Sequence, residues 1–62
     1  MPVIQIDLLK GKSVEQKRAS VEKITTACVD ALQCPQDAVT IVLRDMEPTD
    51  YSVGGTLFAD NV

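Results

Sequence analysis

Residues 3–16, VIQIDLLKGKSVEQ, change their hydrophobic period halfway, and that change decides the fold. From Val3 to Leu9 the side chains alternate, as they do along a strand. Ile4, Ile6 and Leu8 make one face; Val3, Gln5, Asp7 and Leu9 make the other. The first face is wholly aliphatic and calls for a helix against it. The second mixes polar and apolar groups, as an interface or the wall of a site does. Lys10-Gly11-Lys12 ends the strand, and Gly11 can take the positive φ of a sharp exit. Ser13, with Gln16 three residues on, is a capping-box signature, so a helix begins at Val14. Glu15 adds a negative charge to its first turn, where the helix dipole favours one.

The helix is predicted to run from about Val14 to Leu32, with an apolar stripe of Val14, Val21, Ile24, Cys28, Ala31 and Leu32 that Ala27 widens. Lys17, Arg18, Glu22, Lys23 and Asp30 populate the opposite, solvated side. Gln33-Cys34-Pro35-Gln36-Asp37 is the exit loop, where Pro35 holds Cys34 extended. Residues 38–45 read as a second strand, with Val39, Ile41 and Leu43 on one face and Thr40, Val42 and Arg44 on the other. A strand, a long helix and a strand form a β-α-β unit, whose crossover permits a parallel pair. In that pairing Arg44 falls beside Asp7, and an ion pair between them is the expected arrangement. After a turn at Met46-Glu47-Pro48-Thr49-Asp50, the Gly54-Gly55 pair within residues 51–59 points to a tight hairpin or a close backbone approach. The fold class is α+β, in one domain spanning residues 1–62.

A chain this short has little core of its own: about 60% of the unfolded surface is buried at this size, and staples or self-association usually supplement it. Two cysteines and no histidine argue against a disulfide framework or a zinc site. Both thiols are expected to be reduced, in a cytoplasmic protein. The net charge is −3 and there is no basic cluster, which argues against a nucleic-acid partner. No apolar run approaches membrane-spanning length, and no signal peptide is expected. One helix covers only one face of a two-stranded sheet, and two strands alone are marginal. The open face and the sheet edges therefore point to a homo-oligomer built through shared sheets. Leu57 and Phe58 of the hairpin are candidate straps onto a neighbour.

An ordered set of residues carries a resemblance across nearly the whole chain. It comprises Met1-Pro2, Gln5-Ile6, Gly11-Lys12-Ser13, Glu15-Gln16-Lys17, Pro35, Met46, and Tyr51 followed by Val53-Gly54-Gly55. Together they resemble the 4-oxalocrotonate tautomerase family. The resemblance implies a β-α-β unit with a C-terminal hairpin, dimers sharing a four-stranded sheet, and a homohexamer that is a trimer of dimers. It implies an isomerase of small enols in aromatic compound catabolism, with sites at subunit interfaces and no cofactor.

The catalytic group so implied is Pro2. A small residue after the initiator methionine lets the cell remove Met1, which leaves a secondary amine in a chain that has no histidine. A general base works best with a pKa near the working pH. An α-amino group starts at about 7.7–8.0, and an apolar pocket and nearby cations disfavour its charged form. The resemblance assigns substrate binding to Lys12, to the backbone N–H of Leu9, to Tyr51 as part of the apolar wall, and to the position of Thr40. The family's dicarboxylate-processing members carry arginine at the last of these. Threonine cannot supply that charge, which argues against 2-hydroxymuconate and for a less anionic enol or 2-hydroxydienoate acid. Arg44 is displaced by about 13 Å along the strand. Two other readings stand beside the tautomerase. One is a related proline-dependent hydratase, dehalogenase or decarboxylase, with Asp7 or Asp50 as its acid. The other is a non-catalytic oligomeric binding protein of the same fold.

Overall fold

The computed structural model describes residues 1–61. Strand β1 spans Val3–Leu9, helix α1 Val14–Leu32 and strand β2 Thr40–Met46. A hairpin of β3, Ser52–Val53, and β4, Thr56–Leu57, follows. β1 and β2 pair in parallel, with Val3 beside Thr40, Asp7 beside Arg44 and Leu9 beside Met46. β3 and β4 pair antiparallel around Gly54 and Gly55, both at positive φ. This is the expected α+β arrangement of a β-α-β unit with a C-terminal hairpin.

The start of α1 follows its sequence signal. Ser13 Oγ accepts the Gln16 backbone N–H at 3.1 Å, and Gln16 Oε1 accepts the Ser13 N–H at 2.9 Å. These bonds satisfy two donors that every helix start leaves without a partner, and losing such a cap costs about 1 kcal/mol. Gly11 turns the chain into the helix at φ 125. At the far end Gln33 closes the helix in the left-handed conformation (φ 52, ψ 52), its N–H bonded to Val29 O. Gln33 carries a β-carbon that this conformation disfavours.

Three expectations need correction. First, the second strand starts at Thr40, not at residue 38. Ala38 N–H bonds Pro35 O and Val39 N–H bonds Gln36 O, so Gln36–Ala38 form a 3₁₀ turn whose donors are already used. The strand also extends one residue further, to Met46, whose carbonyl accepts the Lys10 N–H. Second, the helical stripe is shorter than its sequence pattern, and it includes Thr25 and Val29. Val21, Ile24, Thr25, Cys28 and Val29 are half-buried, whereas Ala27 and Ala31 are exposed and Val14 and Leu32 are 57% and 60% exposed. A 19-residue helix is about 28 Å long against about 23 Å for a seven-residue strand, so its ends overhang the sheet. Third, Lys17 does not belong to the solvated side. It is half-buried, and its Nζ sits 2.9 Å from Asp45 Oδ2, tying α1 to the end of β2.

Among the described residues none is fully buried. The protomer exposes 4745 Å², against about 3,900 Å² for a compact monomer of its mass. Its Cα radius of gyration is 14.8 Å, against about 10.6 Å for a compact domain of this length. The body is a slab with Cα extents of 43 × 25 × 13 Å. Val3 and Val42 stand 51% and 38% exposed on the sheet face away from α1. On that face Arg44 Nε donates to Asp7 Oδ1 at 2.8 Å, the cross-strand pair expected from the parallel register.

Candidate active site

Two hydrogen bonds fix which backbone groups of β1 are spoken for. Thr40 N–H donates to Pro2 O, and Lys10 N–H donates to Met46 O, both at 3.0 Å. In a parallel ladder every second residue of a strand directs both its N–H and its C=O to the same neighbour. The even-numbered residues of β1 therefore face β2. The N–H and C=O groups of Val3, Gln5, Asp7 and Leu9 point out of the opposite edge. Among the described residues no strand covers that edge. Unpaired groups along a strand edge are a template for another strand.

The residues expected at the site fall into two groups within one protomer. Pro2 and Thr40 lie together where β1 and β2 begin, joined by the bond just described. Pro2 is half-buried, and Met1 before it is 88% exposed. Leu9, Lys12 and Tyr51 belong to the opposite end. Leu9 is seven residues beyond Pro2, about 23 Å along an extended strand. Lys12 lies in the turn that follows, and Tyr51 follows the Pro48–Asp50 turn beyond β2. The Tyr51 ring is 38% exposed and packs 6.0 Å from Phe58, tilted by 50°. Phe58 N–H bonds Tyr51 O at 2.8 Å, which fixes the hairpin against the turn. One protomer thus does not bring Pro2 to the other three residues.

Charge is partitioned sharply at the Leu9 end. Lys10 pairs with Glu47 at 2.9 Å, and the hydrogen bond and charge of that carboxylate raise the Lys10 pKa. Lys17 pairs with Asp45. Arg44 is held by Asp7, whose hydrogen bond and charge raise its pKa, and its Nη2 lies 3.3 Å from Gln5 Oε1. Lys12 is exposed and makes no ion pair among the described residues. It borders a trough of about 470 Å³ on the helix side of the sheet, floored by Ile6, Leu8, Ile24 and Leu43. Pro2 and Thr40 do not line that trough. No group of three or more metal-ligating side chains occurs among the described residues, and no described helix is long and apolar enough to cross a membrane.

The sequence places Gln5 on the interface-like face of β1 but assigns it no role at the site. It sits at the middle of the free edge, with its side chain on Arg44. Its signal was strand parity, which becomes readable only once the β1–β2 register is known.

A family model described as tautomerase enzyme matches residues 2–61, beginning at Pro2. A probable tautomerase of Listeria innocua is 37% identical over 60 residues, covering 97% of this chain and 98% of that one. A solved 4-oxalocrotonate tautomerase isozyme from Methylibium petroleiphilum superposes with a TM-score of 0.90 at 41% identity, covering 94% of this chain and 91% of that one. A heterohexameric 4-oxalocrotonate tautomerase from Chloroflexus aurantiacus superposes with a TM-score of 0.89 at 30% identity, covering 97% of each chain.

Proposed function

Because the chain belongs to the tautomerase family, we propose that it is an enol–keto isomerase whose general base is the amino nitrogen of Pro2, in a site completed by a second copy. The observation that carries this reading is the division of β1. Pro2 lies at one end, and Leu9 and Lys12 lie at and beyond the other, with an unpaired edge between them.

A second β1 running antiparallel along that edge, about a two-fold axis at Gln5, joins the halves. Val3 then stands opposite Asp7 of the other copy, and Leu9 of the other copy stands opposite position 1. Once Met1 is removed, that position is empty. The Leu9 N–H, which points out of the edge, then faces the space beside the Pro2 nitrogen, where it can donate to a substrate oxygen. The odd-numbered faces of the two strands coincide in this register, so both helices lie on one side of a four-stranded sheet. A hexamer of three such pairs is the assembly that the reading takes.

The chemistry is a proton relay. The unprotonated Pro2 nitrogen takes the hydroxyl proton of the enol and returns it to carbon, and the oxygen becomes a ketone. Proton transfer by a positioned group contributes about 10²–10⁴-fold. Lys12 is the candidate to meet a substrate carboxylate: it lies in the turn just after Leu9 and makes no ion pair among the described residues, whereas its neighbours Lys10, Lys17 and Arg44 are each engaged. Thr40, beside Pro2, offers a hydroxyl and no charge. The substrate class that fits is a small enol or 2-hydroxydienoate carrying one carboxylate. The engaged acids argue against hydration chemistry: Asp7 is held by Arg44, and Asp50 Oδ2 accepts the Glu47 backbone N–H at 3.3 Å.

The test is turnover of enols with one and with two carboxylates, on protein whose mass establishes that it begins at Pro2. Pro2→Ala is expected to reduce kcat by at least about 10² with the assembly intact. Undiminished turnover, or full activity in protein that retains Met1 and so has an amide nitrogen at residue 2, refutes the mechanism.

A further inference from the structure

The two cysteines take no part in the chemistry above, yet the fold brings them together. Cys28 lies in the penultimate turn of α1, half-buried on the stripe that faces the sheet. Five residues later Gln33 turns left-handed. A left-handed residue at a helix end reverses the chain, so that the next side chain falls back on the last turns. That side chain is Cys34. Its Sγ lies 3.9 Å from Cys28 O, and it too is half-buried. Both thiols are free. They share one side of the helix end, at the mouth of the loop that leads into β2.

We propose that Cys28 and Cys34 form an oxidisable dithiol, an intramolecular redox pair that peroxides close and thiols reopen. One thiolate attacks the outer oxygen of a peroxide. The O–O bond breaks, a sulfenic acid forms, and water or an alcohol leaves. The second sulfur attacks the sulfenic sulfur, and the hydroxyl leaves with that thiol's proton as water. Two thiols and one peroxide give one disulfide, one water, and one alcohol or a second water. Disulfides in reducing compartments are typically transient or redox-sensing, which suits a pair that rests reduced.

Closure has a structural consequence. A disulfide holds its Cα atoms about 4.4–6.8 Å apart, so the bridge fixes the exit loop against α1 at that span. Gln33, already in a disfavoured conformation, is the hinge. The Gln36–Ala38 turn links that loop to Thr40, whose N–H holds the Pro2 carbonyl. The redox state of the pair is thus coupled to the backbone beside the amino terminus by seven residues of chain.

The assay is intact mass and thiol alkylation of the assembled protein after mild hydrogen peroxide. The expected product is an unlinked chain lighter by two hydrogens, with no alkylatable thiol, restored by dithiothreitol. Cys34→Ser is expected to leave Cys28 as a sulfenic acid that dimedone traps. Hydrogen exchange of the Thr40 amide is expected to quicken on oxidation of the unsubstituted protein and to stay unchanged in Cys34→Ser. Sulfinic acids without a bridge, or disulfides only between chains, overturn the dithiol. A bridge that leaves Thr40 exchange unaltered overturns its coupling to the amino terminus. These readouts require no turnover, so failure of the tautomerase reading is distinguishable from failure of this one.

Discussion

Proline substitution along β1 separates the two uses of its backbone. Residue 5 directs its N–H out of the free edge, so Gln5→Pro removes no bond within the protomer, and proline is tolerated at such positions. It also loses the 3.3 Å contact from Gln5 to Arg44, an exposed hydrogen bond worth little. In the proposed pairing, however, Gln5 lies on the two-fold and exchanges two N–H···O bonds with its counterpart. Both donors vanish. Each bond is worth about 0.5–1.5 kcal/mol net, and each carbonyl left buried without a donor costs about 1–3 kcal/mol. With two carbonyls left unpaired, the pair interface weakens by about 2–6 kcal/mol, which is about one and a half to four orders of magnitude in its dissociation constant. Sedimentation over a dilution series reads the assembly, and enol turnover at the same concentrations is expected to fall with it, because Pro2 and Leu9 then separate. Ile6→Pro is the contrast. Its N–H belongs to the β1–β2 ladder and its side chain to the half-buried face, so it is expected to unfold the protomer. If Gln5→Pro assembles and turns over like the unsubstituted chain, β1 does not pair through this edge and the site is built in another way.

Two further outcomes follow from particular residues. Gln33→Gly relieves a β-carbon held at φ 52 and is expected to stabilise the protein by about 0.5–1 kcal/mol; the urea midpoint at fixed protomer concentration checks it, and a lower midpoint refutes it. Thr40→Arg places a guanidinium beside Pro2 and is expected to raise kcat/KM for a dicarboxylate enol relative to a monocarboxylate by at least about tenfold. An unchanged ratio in steady-state assays means that position 40 does not face the substrate.

How much of this was readable beforehand depended on whether the cause was local. The capping box at Ser13 and Gln16 is local, and α1 begins and ends where its residues say. The Asp7–Arg44 pair needed only the parallel register. The start of β2 was misplaced because Ala38 and Val39, apolar and strand-like by type, have their N–H groups taken by Pro35 and Gln36, a competition that side-chain pattern does not reveal. The apolar stripe was too long because periodicity marks which way a side chain points, not whether the sheet extends beneath it; Val14 and Leu32 overhang. Pro2, Leu9, Lys12, Thr40 and Tyr51 were nameable from a resemblance. The distance from Pro2 to Leu9 follows from the length of β1 alone, but which backbone groups of β1 stay unpaired does not, since no residue type encodes the phase of a ladder. That phase rests on Thr40 bonding Pro2 O and Lys10 bonding Met46 O.

The free edge of β1 has a consequence for which chains can meet. A row of backbone N–H and C=O groups is blind to sequence: it offers the same pattern whatever side chains the strand carries, proline excepted. Fidelity in choosing a partner must come from what flanks the edge, and on the open face that is Val3, Val42 and the Gln5–Arg44–Asp7 cluster. Two sister chains produced in one cell, alike in backbone but different at these few positions, meet the same edge with unequal side chains. In the proposed pairing, substitutions at these few positions would decide between self-assembly and mixed assembly, while the even-numbered half of the same strand would keep each protomer's fold unchanged.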